Sequence, residues 1–254
     1  MLVISYKKNT STMKNHKNTP GNLLINIALI GLLSLLLTSC IKTDNSDKYA
    51  PVTTALLSFI QASPDEPPLN FFIGNSQVNP TALNYGNAVN YFSINSGQIP
   101  VNFFNETTGS EIISGTITLN QNAAYSLFLA NKSTSPEIVL LTDTITLPAA
   151  GYASIRFINL SPDSPPVSLA IQGTTQPLTT NEPYKGHTSF FPIQAKTSFT
   201  FEVLQSTTNT VLATMPDVTL INGGVYTIWF NGLVASTNST DKLGIGIFTN
   251  TYFN

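Results

Sequence analysis

The chain has little of what most enzymes use. Of its 254 residues one is cysteine, two are histidine and one is tryptophan, and only 9% are charged. A single cysteine excludes an intrachain disulfide and two-thiol chemistry. There is no Cys-x-x-Cys pair, no glycine-rich phosphate loop and no Gly-x-Ser-x-Gly elbow. After Cys40 no window sustains a helical period. His187 is the only histidine in that part of the chain. It follows Gly186 in a predicted turn with no neighbouring acidic residue, and reads as a solvated loop residue. No catalytic residue, cofactor or metal site is assigned, and the chain is read as a non-enzyme. Paired carboxylates for hydrolysis need only spatial proximity, so thirteen scattered acidic residues are unspecific.

What is present begins with an address. Lys14 and Lys17 precede the uncharged run Leu23–Leu37, which ends in Leu-Thr-Ser-Cys at Cys40. A basic start, a short apolar run and small residues describe a secretory signal. Fifteen helical residues would span about 22 Å, short of a hydrocarbon core of roughly 30 Å. The ending resembles the lipobox of bacterial lipoproteins, which makes Cys40 the expected lipidation site and residues 1–39 the signal peptide. Either Met1 or Met13 serves as the start. Residues 40–254 keep thirteen acidic and seven basic side chains, a net charge of −6. That balance argues against a nucleic-acid partner. Ile41 after the cysteine favours the outer membrane over the inner, on either its periplasmic or its outer face.

Residues 40–51 are polar and read as a lipid-anchored tether. Short alternating apolar segments follow, broken by Gly, Pro and Asn, which is the strand signal. The chain then repeats itself. Val167, Leu169 and Ile171 match Leu69, Phe71 and Ile73 at an offset of 98; Phe199, Phe201 and Val203 match Ile99, Val101 and Phe103 at 100; Leu220 and Tyr226 match Leu119 and Tyr125 at 101. A slowly growing offset means small insertions in turns, because a one-residue slip inside a strand would turn its apolar set outward. The expected fold is all-β. It comprises two tandem immunoglobulin-like β-sandwich domains, at 52–147 and 149–250, of roughly seven strands each. The link between them is short, so they are expected to touch and to move little independently.

Several of the repeated residues carry a resemblance. Ser161, Pro162, Asp163, Pro165, Pro166, Gly173, Tyr184, Gly186, Tyr226 and Gly232 in the second copy, with Ser63 to Pro68, Gly74, Tyr85, Gly86 and Tyr125 in the first, form a pattern similar to the domain-of-unknown-function 4397 family. The resemblance implies exported bacterial envelope proteins with β-sandwich domains, often in tandem, and implies no chemistry. One departure is Asn131-Lys132 where the second copy has Asn231-Gly232.

The repeated Ser-Pro-Asp-x-Pro-Pro reads as a structural turn. Pro64 and Pro162 fix φ, Asp65 and Asp163 can accept from amides just downstream, and the double proline restarts an extended strand. Ser63 and Ser161 open the two motifs. A Ca²⁺ site would need more carboxylates than the second copy offers. Trp229, Phe128, Phe72 and Phe104 alternate out of phase with the main apolar faces of their strands. Trp229, Phe128 and Phe72 are therefore candidate binding residues on an exposed face, unless they cover a contact between domains. Asp143-Thr144-Ile145 resembles a short O-glycosylation acceptor, with Thr144 as the modified residue.

The expected function is an outer-membrane-anchored lipoprotein acting as a non-catalytic interaction or structural module, with an envelope protein or glycan as partner. The alternatives are carbohydrate capture by exposed aromatics and, last, an envelope hydrolase. Aromatics clustered at one loop end would favour capture, and two carboxylates in a cleft the hydrolase.

Overall fold

The computed structural model describes residues 53–236, 238 and 240–250. Cys40, the signal segment and the tether lie outside these residues. All the described residues fall within one compact unit, Pro51–Asn254.

Among the described residues there are strands and turns but no helix. The first half contributes β1 (Thr54–Gln61), β2 (Leu69–Ile73), β3 (Ser76–Gln77), β4 (Ala88–Asn95), β5 (Gly97–Asn105), β6 (Glu111–Leu119), β7 (Ala124–Ala130) and β8 (Glu137–Thr142). The second contributes β9 (Tyr152–Asn159), β10 (Val167–Ile171), β11 (Phe191–Gln194), β12 (Lys196–Gln205), β13 (Val211–Leu220), β14 (Val225–Asn231) and β15 (Gly244–Thr249). Each half is two sheets, ordered β4-β1-β7-β8 and β3-β2-β5-β6 in the first, and β11-β9-β14-β15 and β10-β12-β13 in the second. The second half thus repeats the first without an equivalent of β3. Pairing is antiparallel except that β1 lies parallel to β7, and β9 to β14. The first strand therefore sits beside the seventh, whereas constant-type immunoglobulin domains place it beside the second.

Alternation explains the two sandwich cores. Leu69, Phe71, Val101, Phe103, Tyr125 and Leu127 point inward between the first two sheets. Val167, Leu169, Phe201, Val203, Tyr226 and Ile228 do the same in the second half. Phe59, Phe71 and Phe103 form an aromatic centre with ring centroids 4.7–5.1 Å apart.

A third core joins the halves. Ile60, Phe128, Ala130 and Leu141 pack with Ile158, Leu160, Trp229 and Phe248. The sheets containing β7 and β14 therefore meet back to back, and the order of layers is sheet, sheet, sheet, sheet with three cores between them. This explains why every residue of β7 and of β14 is buried: their strands are covered on both faces.

Candidate interaction surface

The aromatics divide between two places. Trp229 is 3% exposed and Phe128 fully buried, both within the third core. This corrects the expectation that they form an exposed binding face: they cover the contact between the halves. Gly246 lies opposite Trp229, and a β-carbon there would come within 2.2 Å of the indole. With the Asn231 amide oriented to suit its neighbours, its oxygen accepts from Trp229 Nε1 at 2.7 Å and its nitrogen donates to Tyr85 OH at 3.0 Å, across the halves.

Phe72 and Phe104 instead share the outer face of the β2–β5 pair. Their rings meet edge to face, 5.4 Å apart at 82°, and both are half-buried. Phe72 pairs with Asn102 and Phe104 with Asn70 across the two strands. Two rings and two amides thus alternate like a checkerboard. They floor a cleft of about 500 Å³, with Asn75 and Glu106 at its edge.

The junction also holds a polar cluster. Arg156 Nη1 lies 2.7 Å from Asp143 Oδ1, with both side chains almost wholly buried. Among the described residues Asp143 Oδ1 has no other partner. Its Oδ2 accepts from Tyr91 OH and from Ser126 Oγ. Arg156 also donates to Thr227 Oγ1 at 2.9 Å and lies over the Phe190 ring at 4.6 Å. Thr227 donates to Asn250 Oδ1, and Asn250 Nδ2 to Tyr91 OH. Burial beside the Asp143 carboxylate pushes the Tyr91 hydroxyl pKa well up. Asp143 and Asn250 hold the same place in their halves, each amide donating to the carbonyl of the residue that opens β7 or β14. By strand register Arg156 stands where the first half has Ser58, and Thr227 where it has Ser126. Equivalent positions thus carry different residues in the two halves, so that one cation meets one anion.

The repeated motif forms a turn in both halves, held by bonds different from the expected ones. The local acceptors are Gln61 Oε1 for Ser63 N and Asn159 Oδ1 for Ser161 N, at 2.9 and 3.0 Å. Asp65 and Asp163 do not serve the amides just downstream. Asp65 accepts from Ser133 N at 2.7 Å and Asp163 from Val234 N at 2.9 Å, in the loops after β7 and β14. The serine hydroxyls donate to the same loops, Ser63 to Asn131 O and Ser161 to Gly232 O. These bonds align Asn131 with Gly232, not with Asn231, and both take positive φ, 69° and 88°. Asparagine tolerates that conformation. At Gly232 a β-carbon would meet Lys242 O at 2.2 Å, so only glycine fits. Pro64 and Pro162 lie inside these turns. Lys132 pairs with Asp163 at 3.3 Å and Lys185 with Glu137 at 2.7 Å, linking the halves at their rim.

Glu66 lies in the first turn, and nothing in the sequence marks it as buried. It is buried, and among the described residues its Oε1 and the Gln61 Nε2 lack hydrogen-bond partners. In the second half the corresponding Asn159 Nδ2 donates to Ser164 Oγ at 3.2 Å. Burial, then the Asp65 charge, raises the Glu66 pKa to about 7.

Thr144 is exposed just beyond β8, while its neighbour Asp143 is held in the ion pair. His187 is exposed, with Nδ1 3.2 Å from Lys185 O. Among the described residues no three His, Cys, Asp or Glu side chains are grouped to hold a metal, and no helix is long and apolar enough to cross a membrane.

Residues 55–170 match the family model of a domain of unknown function, DUF4397. The DUF4397 match starts in β1, spans both Ser-Pro-Asp-x-Pro-Pro turns and ends in β10. The resemblance is thereby shown over residues 55–170, while Gly173, Tyr184, Gly186, Tyr226 and Gly232 lie beyond the matched stretch. No curated protein matches the chain. Solved structures with some likeness include a family 26 carbohydrate-binding module from Eubacterium rectale in complex with maltoheptaose, at 9% identity and a TM-score of 0.26, covering 78% of this chain and 98% of that one. The fimbrial anchor protein Mfa2 from Porphyromonas gingivalis shows 9% identity, a TM-score of 0.25 and the same coverages. A cell adhesion protein from Parabacteroides distasonis shows 9% identity and a TM-score of 0.20, over 78% of this chain and 99% of that one. At these scores the likeness carries nothing about ligand or partner to this chain.

Proposed function

We propose that this protein is a non-catalytic interaction or structural module of the cell envelope, held at the outer membrane through a lipid on Cys40. In this reading residues 52–147 and 149–250 are two domains that act as one body, and Thr144 is an accessible site for glycosylation. The observation that carries the reading is the back-to-back junction. A hydrophobic core and the Arg156–Asp143 pair lock two sandwiches into a block whose outer sheets keep a fixed spacing. Such a block suits display of a surface. An anchor confines it to a membrane, where weak contacts gain from effective concentration.

Photo-crosslinking in intact cells tests this. A crosslinker on the outer face of β2 or β5 should give discrete adducts, and one buried at position 128 should give none to other molecules. Absence of adducts from every exposed face, with the protein folded and exported, would contradict the reading.

A further inference from the structure

We propose that the cleft over Phe72 and Phe104 binds the ring of a neutral, hydroxyl-rich ligand, that is, a glycan. This rests on the reading as an interaction module and names its ligand class.

The second half serves as an internal control. Strand register places Ala170 where the first half has Phe72, Leu204 for Phe104, Ser168 for Asn70 and Glu202 for Asn102. There the face is closed by its own bonds, Ser168 to Ser206 at 2.8 Å and Gln172 to Glu202 at 3.0 Å. The sandwich therefore forms without aromatic rings at these positions. In the first half two phenylalanines stay half-exposed, forgoing the stabilisation that full burial would give them.

The amides are held for use. Asn70 Oδ1 accepts from Gln77 Nε2 and Asn79 Nδ2, at 3.1 and 3.2 Å, which leaves Asn70 Nδ2 as a donor. Asn102 Nδ2 donates to Gly74 O at 3.2 Å, which leaves Asn102 Oδ1 as an acceptor. A fixed donor and a fixed acceptor beside an aromatic floor suit a molecule with an apolar C–H face and a hydroxyl rim. No Lys or Arg lines the cleft, and Glu106 does. That excludes a strong preference for anionic sugars or phosphates. A volume of about 500 Å³ lies within the ordinary range for small-ligand sites.

The test titrates the full chain with neutral gluco-, galacto-, manno- and xylo-oligosaccharides and with an anionic oligogalacturonate, by calorimetry and by NMR of the ligand. At least one neutral oligosaccharide should bind with Kd of about 1 mM or tighter. Phe72→Ala and Phe104→Ala should each weaken it about tenfold with the thermal midpoint little changed. Should either variant fail to fold, Asn102→Ala on the same face should weaken binding severalfold. No neutral ligand bound, binding indifferent to all these substitutions, or tighter binding of the anionic sugar would overturn the proposal. If that happens while crosslinking from β2 still yields an envelope protein, the module reading stands and only the glycan falls.

Discussion

Arg156, the only arginine in the chain, reaches from β9 into the first half and places Nη1 2.7 Å from Asp143 Oδ1. The pair lies between two sheets whose contact is otherwise mainly apolar, with Asn250 Nδ2 donating to Tyr91 OH beside it. Breaking it leaves one buried charge uncompensated. Asp143→Ala or Arg156→Ala should cost about 3–5 kcal/mol in chemical denaturation. The double replacement Asp143→Leu with Arg156→Met should cost less than either single change, because no charge remains buried. A double variant as unstable as the sum of the singles would show that the pair is not coupled.

Trp229→Ala should destabilise by roughly 3–5 kcal/mol, since it empties a large volume in the junction core. The loss should appear in thermal or denaturant unfolding of both halves together. A folded variant of unchanged stability would place Trp229 on a surface after all.

The turn aspartates should behave as staples. Asp65→Ala and Asp163→Ala should each cost about 0.5–2 kcal/mol, by analogy with side-chain caps on backbone amides. Millimolar Ca²⁺ should leave the unfolding midpoints of wild type and variants unchanged. A midpoint that rises with Ca²⁺ only in the wild type would mean a metal site.

Glu66 gives a pH dependence with a definite sign. Its folded pKa of about 7 lies above the ordinary value of 4.5, so the folded state holds a proton that the unfolded chain has lost. Its contribution is complete below about pH 4.5 and disappears as pH rises through about 7. Glu66→Gln should remove this fall and raise stability at pH 8 by about 1–2 kcal/mol, after allowance for partial solvation. Unfolding midpoints from pH 5 to 8 that decline equally in wild type and variant would show another group to be responsible.

Lipidation at Cys40 is tested by labelling. Cys40→Ala should abolish incorporation of labelled fatty acid and accumulate precursor, while the wild type partitions into detergent. Detergent partitioning of a processed Cys40→Ala protein would remove the lipid anchor from the account.

The repeat, the strands and the inward faces were legible because alternation reports one covered face. Leu69, Phe71, Val101 and Phe103 are buried as that pattern requires. The junction was not legible, because alternation is silent on what lies against the second face. Ser126 and Thr227 look like solvated residues in their strands, yet both are fully buried. The one hint was a charged residue, Arg156, flanked by Ile155 and Phe157 in a strand, which calls for a buried partner. Asp143 could not be found as that partner from sequence, since it stands outside any strand and belongs to the other half. The turn motif was legible from its prolines, since Pro64 and Pro162 lie in turns. Its bonds were misplaced because the amides that Asp65 and Asp163 serve are distant in the chain.

The claim that the protein binds and does not catalyse is tested most directly by assaying turnover. The full chain, purified in detergent, is incubated with glycosidase, esterase and peptidase substrates over pH 5–8. The account predicts no turnover above the buffer rate. Efficient acid–base or nucleophilic chemistry needs a positioned base beside a nucleophile or acid, and the buried Asp143 is instead committed to Arg156, Tyr91 and Ser126. Reproducible turnover that is lost on replacing His187 or one carboxylate would contradict it.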